Sequence, residues 1–166
     1  MVARRWAGLR GGGPLAGLVL VCLLGAMLNE NFASLDNAMN VLTRTAFIGI
    51  IAVGMCFVII SGGIDLSVGS MAALIAGAMI LLMNAAAGAG WPPLAAILAG
   101  MACAIGLGAL FGLAHGLLIS KGRIEPFIVT LGTLGIFRAY LTYFSNGGAI
   151  TLDGSLASVI APPLEK

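Results

Sequence analysis

Long uncharged apolar runs alternate with short polar segments along this chain. Thr45 to Ile64 carries no formal charge for 20 consecutive residues, and Leu66 to Ser120 contains no Asp, Glu, Lys or Arg. A helix needs about 20 apolar residues to cross a hydrocarbon core about 30 Å thick. The pattern predicts an all-α fold, a polytopic transmembrane bundle with spans at about 11–29, 45–63, 66–84, 93–119 and 126–144.

The composition agrees with a membrane protein. Hydrophobic residues are 60% of the chain, charged residues are 8%, and the mean hydropathy is +1.11. A soluble domain carries about 25% charged residues, which it needs to cover its water-facing surface. The net charge of +2 and the lack of a basic patch exclude a nucleic-acid partner. A phosphate loop, a zinc-protease motif and paired carboxylates within a span are all absent, so we expect neither an enzyme nor a metal site.

The basic residues predict the orientation of the spans. Loops rich in Lys and Arg stay in the cytoplasm. A cytoplasmic N-terminus places five basic residues inside and two outside; the five are Arg4, Arg5, Arg10, Lys121 and Arg123, and the two are Arg44 and Lys166. We therefore expect the N-terminus to be cytoplasmic.

Three ordered stretches carry a family resemblance. The first is SGGIDLSVGS at 61–70, the second is its extension IGIIAVGMCFVIISGGIDLSVGS at 48–70, and the third is PFIVTLGTLGIFRAYLTYFSNGG at 126–148. Together they resemble the permease subunits of bacterial ATP-binding-cassette sugar importers, in the ribose, xylose, galactose and autoinducer-2 branch. The matching region runs from about Asn40 to about Gly148, in the order that the family uses.

The resemblance implies a function and a set of partners. Such a subunit forms the path for a monosaccharide or similar polyol through the bacterial inner membrane, among membrane lipids, by alternating access. It pairs with a second permease subunit, as a homodimer or heterodimer, and with a periplasmic sugar-binding protein. ATPase subunits bind the ATP, so this chain needs no cofactor of its own.

Members of the family continue with further helices and an ATPase-docking loop. Residues 1–166 therefore correspond to the N-terminal part of one permease domain. A fragment, a truncated gene and a second chain that supplies the rest are all compatible with the sequence. The alternative function is a non-transporting membrane remnant or an assembly partner.

The segment between the second and third spans has two interpretations. Gly62 and Gly63 suit the left-handed end of a helix, and Asp65 and Ser67 suit the capped start of the next one. Alternatively, this turn is a broken-helix element that lines the substrate path, as discontinuous helices do in transporters. Both interpretations can hold together.

Small residues recur every four positions in the fourth span. This spacing predicts one helix face that packs closely against a neighbouring helix, and its members are Gly100, Ala104, Gly108, Gly112 and Gly116. His115 lies beside this stripe without a second metal ligand, so we expect a structural hydrogen bond for it.

The fifth span carries a stripe of hydroxyl and aromatic side chains. At about 100° per residue one broad face contains Thr130, Thr133, Phe137, Tyr140 and Phe144. Hydroxyls and rings suit a substrate pathway for polyols. Helix packing, with each Thr hydroxyl bonded to its own backbone, explains the same pattern equally well.

Arg138 is a charge within the fifth span, about 80–100° away from that stripe. Its side chain can reach toward the outer interface or pair with a carboxylate on another helix. We do not assign it to substrate binding from the sequence.

Overall fold

The computed structural model describes residues 12–160. This part of the chain is all helical apart from its turns and loops. Its six helices are α1 (Gly12–Leu28), α2 (Leu35–Ile60), α3 (Val68–Gly88), α4 (Pro93–Ser120), α5 (Pro126–Phe144) and α6 (Gly154–Ile160). The predicted all-α fold is confirmed.

Within residues 12–160, four helices are long and apolar enough to cross a membrane, namely α2, α3, α4 and α5. The apolar helix α1 is shorter, with 17 residues. The predicted fourth and fifth spans agree with α4 and α5 to within a residue, because a proline marks the first turn of each helix. The N-terminal arginines Arg4, Arg5 and Arg10, and Lys166, lie outside the described residues.

The predicted second span began ten residues too late. Helix α2 begins at Leu35 rather than at 45, so Arg44 lies inside the helix. The Ser34 hydroxyl accepts the Asn37 backbone N–H at 3.2 Å, and Asp36 lies in the first turn, where the helix dipole favours a negative charge. These interactions stabilise a polar first turn, which a prediction based on uncharged residues alone does not include.

The predicted junction between the second and third spans was too short. Helix α2 ends at Ile60 and α3 begins at Val68, so seven residues, 61–67, connect them. Helix α3 in turn continues to Gly88, beyond the predicted end at Asn84. The turn after α3 contains Gly90 with a φ of +79° and an exposed Trp91.

The five predicted spans do not include helix α6. Its Leu156 is fully buried in a cluster with Met83, Ala86 and Ala96 from the facing ends of α3 and α4. The Asn84 side chain holds the preceding segment: its Nδ2 donates to the Thr151 carbonyl and its Oδ1 accepts the Asp153 N–H, both at 2.8 Å. One buried leucine in seven residues leaves no periodic pattern to detect.

The chain divides into two compact units, residues up to Val53 and residues from Gly54 onward, and the division falls within α2. In the first unit, the Phe32 ring lies directly against Gly25, where even a methyl group would clash. In the second unit, α3 packs against α4 and α5, and α6 contacts the ends of α3 and α4.

Most large apolar side chains of the helices are exposed. Ile60, Ile105 and Ile50 are 82%, 72% and 73% exposed, and they lie in helices with almost no charged residues. Such a continuous apolar surface is unfavourable in water but compatible with contact to lipid tails. The chain is a multi-pass membrane protein by this measure.

Candidate functional site

The connection between α2 and α3 begins with a glycine-dependent helix end. Gly62 has a φ of +82°, a left-handed conformation that disfavours other residues. Its N–H donates to the Ile59 carbonyl and the Gly63 N–H donates to the Val58 carbonyl, both at 3.0 Å. This pair of bonds is the Schellman motif, so Gly62 and Gly63 lie where the sequence placed a helix end.

Asp65 organises the start of α3. Its Oδ1 accepts both the backbone N–H of Ser67, at 2.7 Å, and the Ser67 hydroxyl, at 2.6 Å. Ser67 is fully buried and precedes the first helical residue, and its carbonyl accepts the Met71 N–H at 2.8 Å. Asp65 therefore satisfies two polar hydrogens of Ser67, the N-cap residue of α3. The predicted capping differs in detail, because the Ser67 side chain makes no hydrogen bond to the first turn of the helix.

The connecting segment is tied to α5 by Thr130. The Thr130 hydroxyl donates to the Ile64 carbonyl at 3.2 Å, with the Phe127 carbonyl as a longer alternative at 3.4 Å. Thr130 is 2% exposed, so the bond is shielded from solvent. A Cβ on Gly63 would also lie within 3.7 Å of Pro126. The segment 61–67 is thus anchored at the beginning of α5.

A second hydroxyl of α5 contacts α4. Thr133 Oγ1 lies 2.9 Å from Nε2 of the buried His115. The Thr133 hydroxyl has backbone carbonyls of its own helix at 3.0 and 3.2 Å to which it donates. The Thr133 hydroxyl and the His115 imidazole thus share one hydrogen bond between α5 and α4. The structural hydrogen bond expected for His115 is present.

The remaining members of the predicted fifth-span stripe are aromatic and separate into two environments. Phe137 is buried against Phe111 of α4, with ring centroids 4.7 Å apart. Tyr140 and Phe144 are exposed and stacked, with centroids 6.2 Å apart. All three line an apolar cavity of about 390 Å³ among α3, α4 and α5. Their role in a substrate pathway, and that of Thr130 and Thr133, stays a prediction.

Helices α3 and α5 together form a groove of about 750 Å³, which we call the α3–α5 groove. Its described lining includes one charged residue, Arg138, whose side chain is exposed. Its lining residues are Leu66, Gly69, Ser70, Ala73, Ala76, Gly77 and Ile80 of α3 and the segment before it, Leu134, Arg138, Leu141 and Thr142 of α5, and Ser145, Gly147, Gly148 and Ile150 beyond it.

Three hydroxyl groups and two glycine N–H groups that line the α3–α5 groove donate their hydrogens to backbone carbonyls. The hydroxyls of Ser70, Thr142 and Ser145 donate to carbonyls three or four residues earlier, at 2.8, 2.9 and 3.3 Å. The N–H groups of Gly147 and Gly148 also donate to carbonyls, at 3.0 and 2.9 Å. The groove thus offers oxygen lone pairs from three hydroxyls.

Gly77 allows α3 and α5 to approach beside this groove. A Cβ on this buried glycine would lie 2.9 Å from Leu141 Cδ1 and 3.1 Å from Ile150 Cδ1. Sequence reasoning missed Gly77 because one glycine in an apolar span has no repeat to distinguish it. It missed Asn84 for a similar reason, since its partners lie 67 and 69 residues away.

The small-residue stripe of α4 faces more than one environment. A Cβ on Gly100 would lie 2.4 Å from Met83 Cγ, and a Cβ on Gly108 would lie 3.9 Å from Ile75 Cδ1, so both face α3. At Gly112 and Gly116 a Cβ would meet no other described atom within 4 Å. Each step of four residues turns the stripe by about 40° around a straight helix, which carries the later members off the α3 face.

Asp153 lies outside the membrane-spanning helices and caps α6. Its Oδ1 accepts the Ser155 hydroxyl and the Ser155 backbone N–H, the latter at 2.9 Å. The side-chain hydrogen bond, followed by the backbone one, lowers the pKa of the Asp153 carboxyl below its ordinary value of 3.8. The carboxylate form therefore favours the folded end of the chain.

Comparison with known proteins places these elements in a family. Residues 37–160 match the family described as branched-chain amino acid transport system / permease component. No solved structure matches the chain.

Curated relatives agree with this family match. The chain is 41% identical over 143 residues to the ribose import permease protein RbsC of Bacillus subtilis (strain 168), over 84% of this chain and 41% of the relative. It is 35% identical over 136 residues to RbsC of Escherichia coli (strain K12), over 82% of this chain and 40% of the relative.

A xylose permease is also similar. The xylose transport system permease protein XylH of Escherichia coli (strain K12) is 35% identical over 148 residues, over 88% of this chain and 36% of the relative. The chain thus spans about two fifths of the length of the curated relatives it matches. The family match covers α2 to α6, including the segment 61–67 and the α3–α5 groove, and the chain therefore belongs to this family of transport-system permease components.

Proposed function

We propose that this chain forms part of the transmembrane subunit of an ATP-binding-cassette importer and contributes to the pathway for a monosaccharide or similar polyol. The observation that carries the proposal is the 35–41% identity to ribose and xylose permeases along four apolar helices. The family is one of permease components, which transport rather than transform their substrate.

The helix array suits a pathway through a membrane. The bundle breaks between α2 and α3 at a segment held by Gly62, Asp65 and Thr130. Non-helical backbone at such a break is supported where it is buried in protein or lines a cavity. A break of this kind provides backbone polar groups that a continuous apolar helix cannot offer to a sugar.

Energy for import comes, in this proposal, from ATPase subunits on the cytoplasmic face. The sequence of this chain contains no phosphate-binding loop, so ATP binding and hydrolysis belong to the partner. A second permease subunit completes the pathway, and a periplasmic sugar-binding protein delivers the substrate. We place the N-terminus of the chain in the cytoplasm of a bacterium, with the helices in its inner membrane.

A chimeric permease tests the proposal in cells. Residues 37–160 of this chain replace the aligned segment of the Bacillus subtilis ribose import permease, in cells that lack their own copy of that protein. We expect uptake of radiolabelled ribose or xylose above that of the deletion strain, and loss of this uptake when ATP is depleted. Stable insertion of the chimera without uptake of either sugar would favour a non-transporting membrane module.

A further inference from the structure

Arg138 lines the α3–α5 groove from the thirteenth position of a helix of 19 residues. A charge at that depth in a bilayer is costly unless water, a polar ligand or an opposite charge surrounds it. The described residues that line the groove include no Asp or Glu. The side chain can extend toward the outer interface or bind a polar occupant of the groove, and the other polar groups that line the groove favour the second option.

The hydrogen-bonding groups indicate which polar occupant fits. The hydroxyl hydrogens of Ser70, Thr142 and Ser145 are already donated to the backbone, so their oxygens offer lone pairs. The guanidinium of Arg138 offers only N–H donors. The groove thus combines one strong cluster of donors with three separate acceptors.

A neutral polyol satisfies both kinds of group. Each sugar hydroxyl donates one hydrogen bond and accepts others. Sulfate has no hydrogen to donate, so it would bind Arg138 and face unfavourable lone pairs on the three hydroxyl oxygens. The volume of about 750 Å³ lies within the range of about 300–1,000 Å³ found for small-molecule sites.

We propose that the α3–α5 groove is a sugar-binding station within the membrane. Arg138 donates to sugar oxygens, and Ser70, Thr142 and Ser145 accept hydrogen bonds from sugar hydroxyls. This inference rests on the proposed function, because it names the place where an imported sugar meets the chain. It differs from the predicted stripe of α5, whose Thr130 and Thr133 hydroxyls tie helices together.

Thiol labelling tests the groove directly. The native cysteines Cys22, Cys56 and Cys103 are replaced by Ala, and single cysteines are introduced by Ala73→Cys on α3 and by Leu134→Cys on α5, at lining positions whose side chains offer no hydrogen bond to a sugar. Membranes that contain the chain are treated with a water-soluble methanethiosulfonate in rising concentrations of ribose, xylose or sulfate. The matched control is Ile105→Cys, at an α4 position that is 72% exposed and outside the groove.

The proposal predicts that both groove cysteines react and that ribose or xylose slows the reaction while sulfate does not. The Ile105→Cys control should react poorly, because lipid excludes the charged reagent, and sugar should not change its rate. Labelling after SDS treatment measures the total thiol of each variant. Unreactive groove cysteines, reaction that no sugar slows, or protection by sulfate alone would each overturn the proposal.

Arg138 variants test the donor role. In the Leu134→Cys background, Arg138→Leu should raise the sugar concentration for half-protection by about 10-fold or more, as expected for a lost charged hydrogen bond. Arg138→Lys retains donors and should have a smaller effect. An unchanged half-protection concentration in Arg138→Leu would remove Arg138 from the site.

The two proposals fail separately. Sugar uptake by the chimera without sugar protection of the groove would reject this station and leave the transport function intact. Sugar-specific protection without uptake would support the station and reject import by the chimera.

Discussion

Asp65 stabilises the segment before α3 because one carboxylate oxygen satisfies both hydrogens of the buried Ser67. We expect Asp65→Asn to be mild, since the amide oxygen accepts the same bonds. Asp65→Ala should destabilise the chain by about 1–3 kcal/mol, the cost of leaving buried polar groups unsatisfied. Chemical unfolding of both variants in detergent micelles, followed by circular dichroism, measures the difference. Equal stability of the two variants would contradict this role.

Thr130 provides a second test at the scale of one residue. Thr130→Val keeps the shape of the side chain and removes the donor to the Ile64 carbonyl. We expect a loss of about 0.5–1.5 kcal/mol and faster amide hydrogen exchange in residues 62–66, whereas Thr130→Ser should retain the bond. If amide exchange in residues 62–66 is the same in the wild type and in both variants, the hydrogen bond from Thr130 to Ile64 does not stabilise the segment.

The packing of α3 against α4 depends on Gly100, and α4 contains its own control. In Gly100→Ala the new methyl group would overlap the Met83 side chain, which must move. We expect a loss of about 1–3 kcal/mol. Gly112→Ala meets no described atom and should be neutral or stabilising by up to about 1 kcal/mol, because alanine favours helices. Similar losses for both substitutions would show that the two glycines have equivalent environments.

The end of the chain that includes α6 should respond to acid. The folded pKa of Asp153 lies below its ordinary value of 3.8, so the stabilisation is present above that value and is lost as the pH falls through the folded pKa. Amide protection in residues 154–160 should therefore decrease below pH ~4. Asp153→Asn should remove this pH dependence, and an identical acid response in the variant would assign it to another group.

At the scale of elements, the sequence predicted what local signals determine. The predicted starts of α4 and α5 coincide with Pro93 and Pro126, which suit the first turn of a helix, and the shared face of Thr130 and Thr133 followed from helical periodicity. The partners of these hydroxyls could not be predicted, because Ile64 and His115 reach them through the tertiary fold. Helix α2 begins ten residues before the predicted start because a capped polar turn precedes its apolar part. The α3–α5 groove arises from two helices together, and no single run of residues encodes it.

At the scale of the whole molecule, the basic residues predict an orientation in the membrane with a cytoplasmic N-terminus. Lys121 and Arg123 lie in the turn between α4 and α5, while Trp91 lies in the turn between α3 and α4. We expect a cysteine at position 121 to react only from the cytoplasmic side and one at position 91 only from the periplasmic side. Labelling of intact cells with an impermeant reagent, compared with inverted vesicles, measures this. The reverse pattern would place the N-terminus outside.

Transport by a purified assembly tests the central claim most directly. The chimeric permease is reconstituted into liposomes with its ATPase subunits and its sugar-binding protein, and the internal content of radiolabelled ribose or xylose is measured with and without ATP. We predict that sugar accumulates inside the liposomes only when ATP and the binding protein are both present. Sugar movement that ATP does not change, or an assembled complex that moves neither sugar, would contradict it.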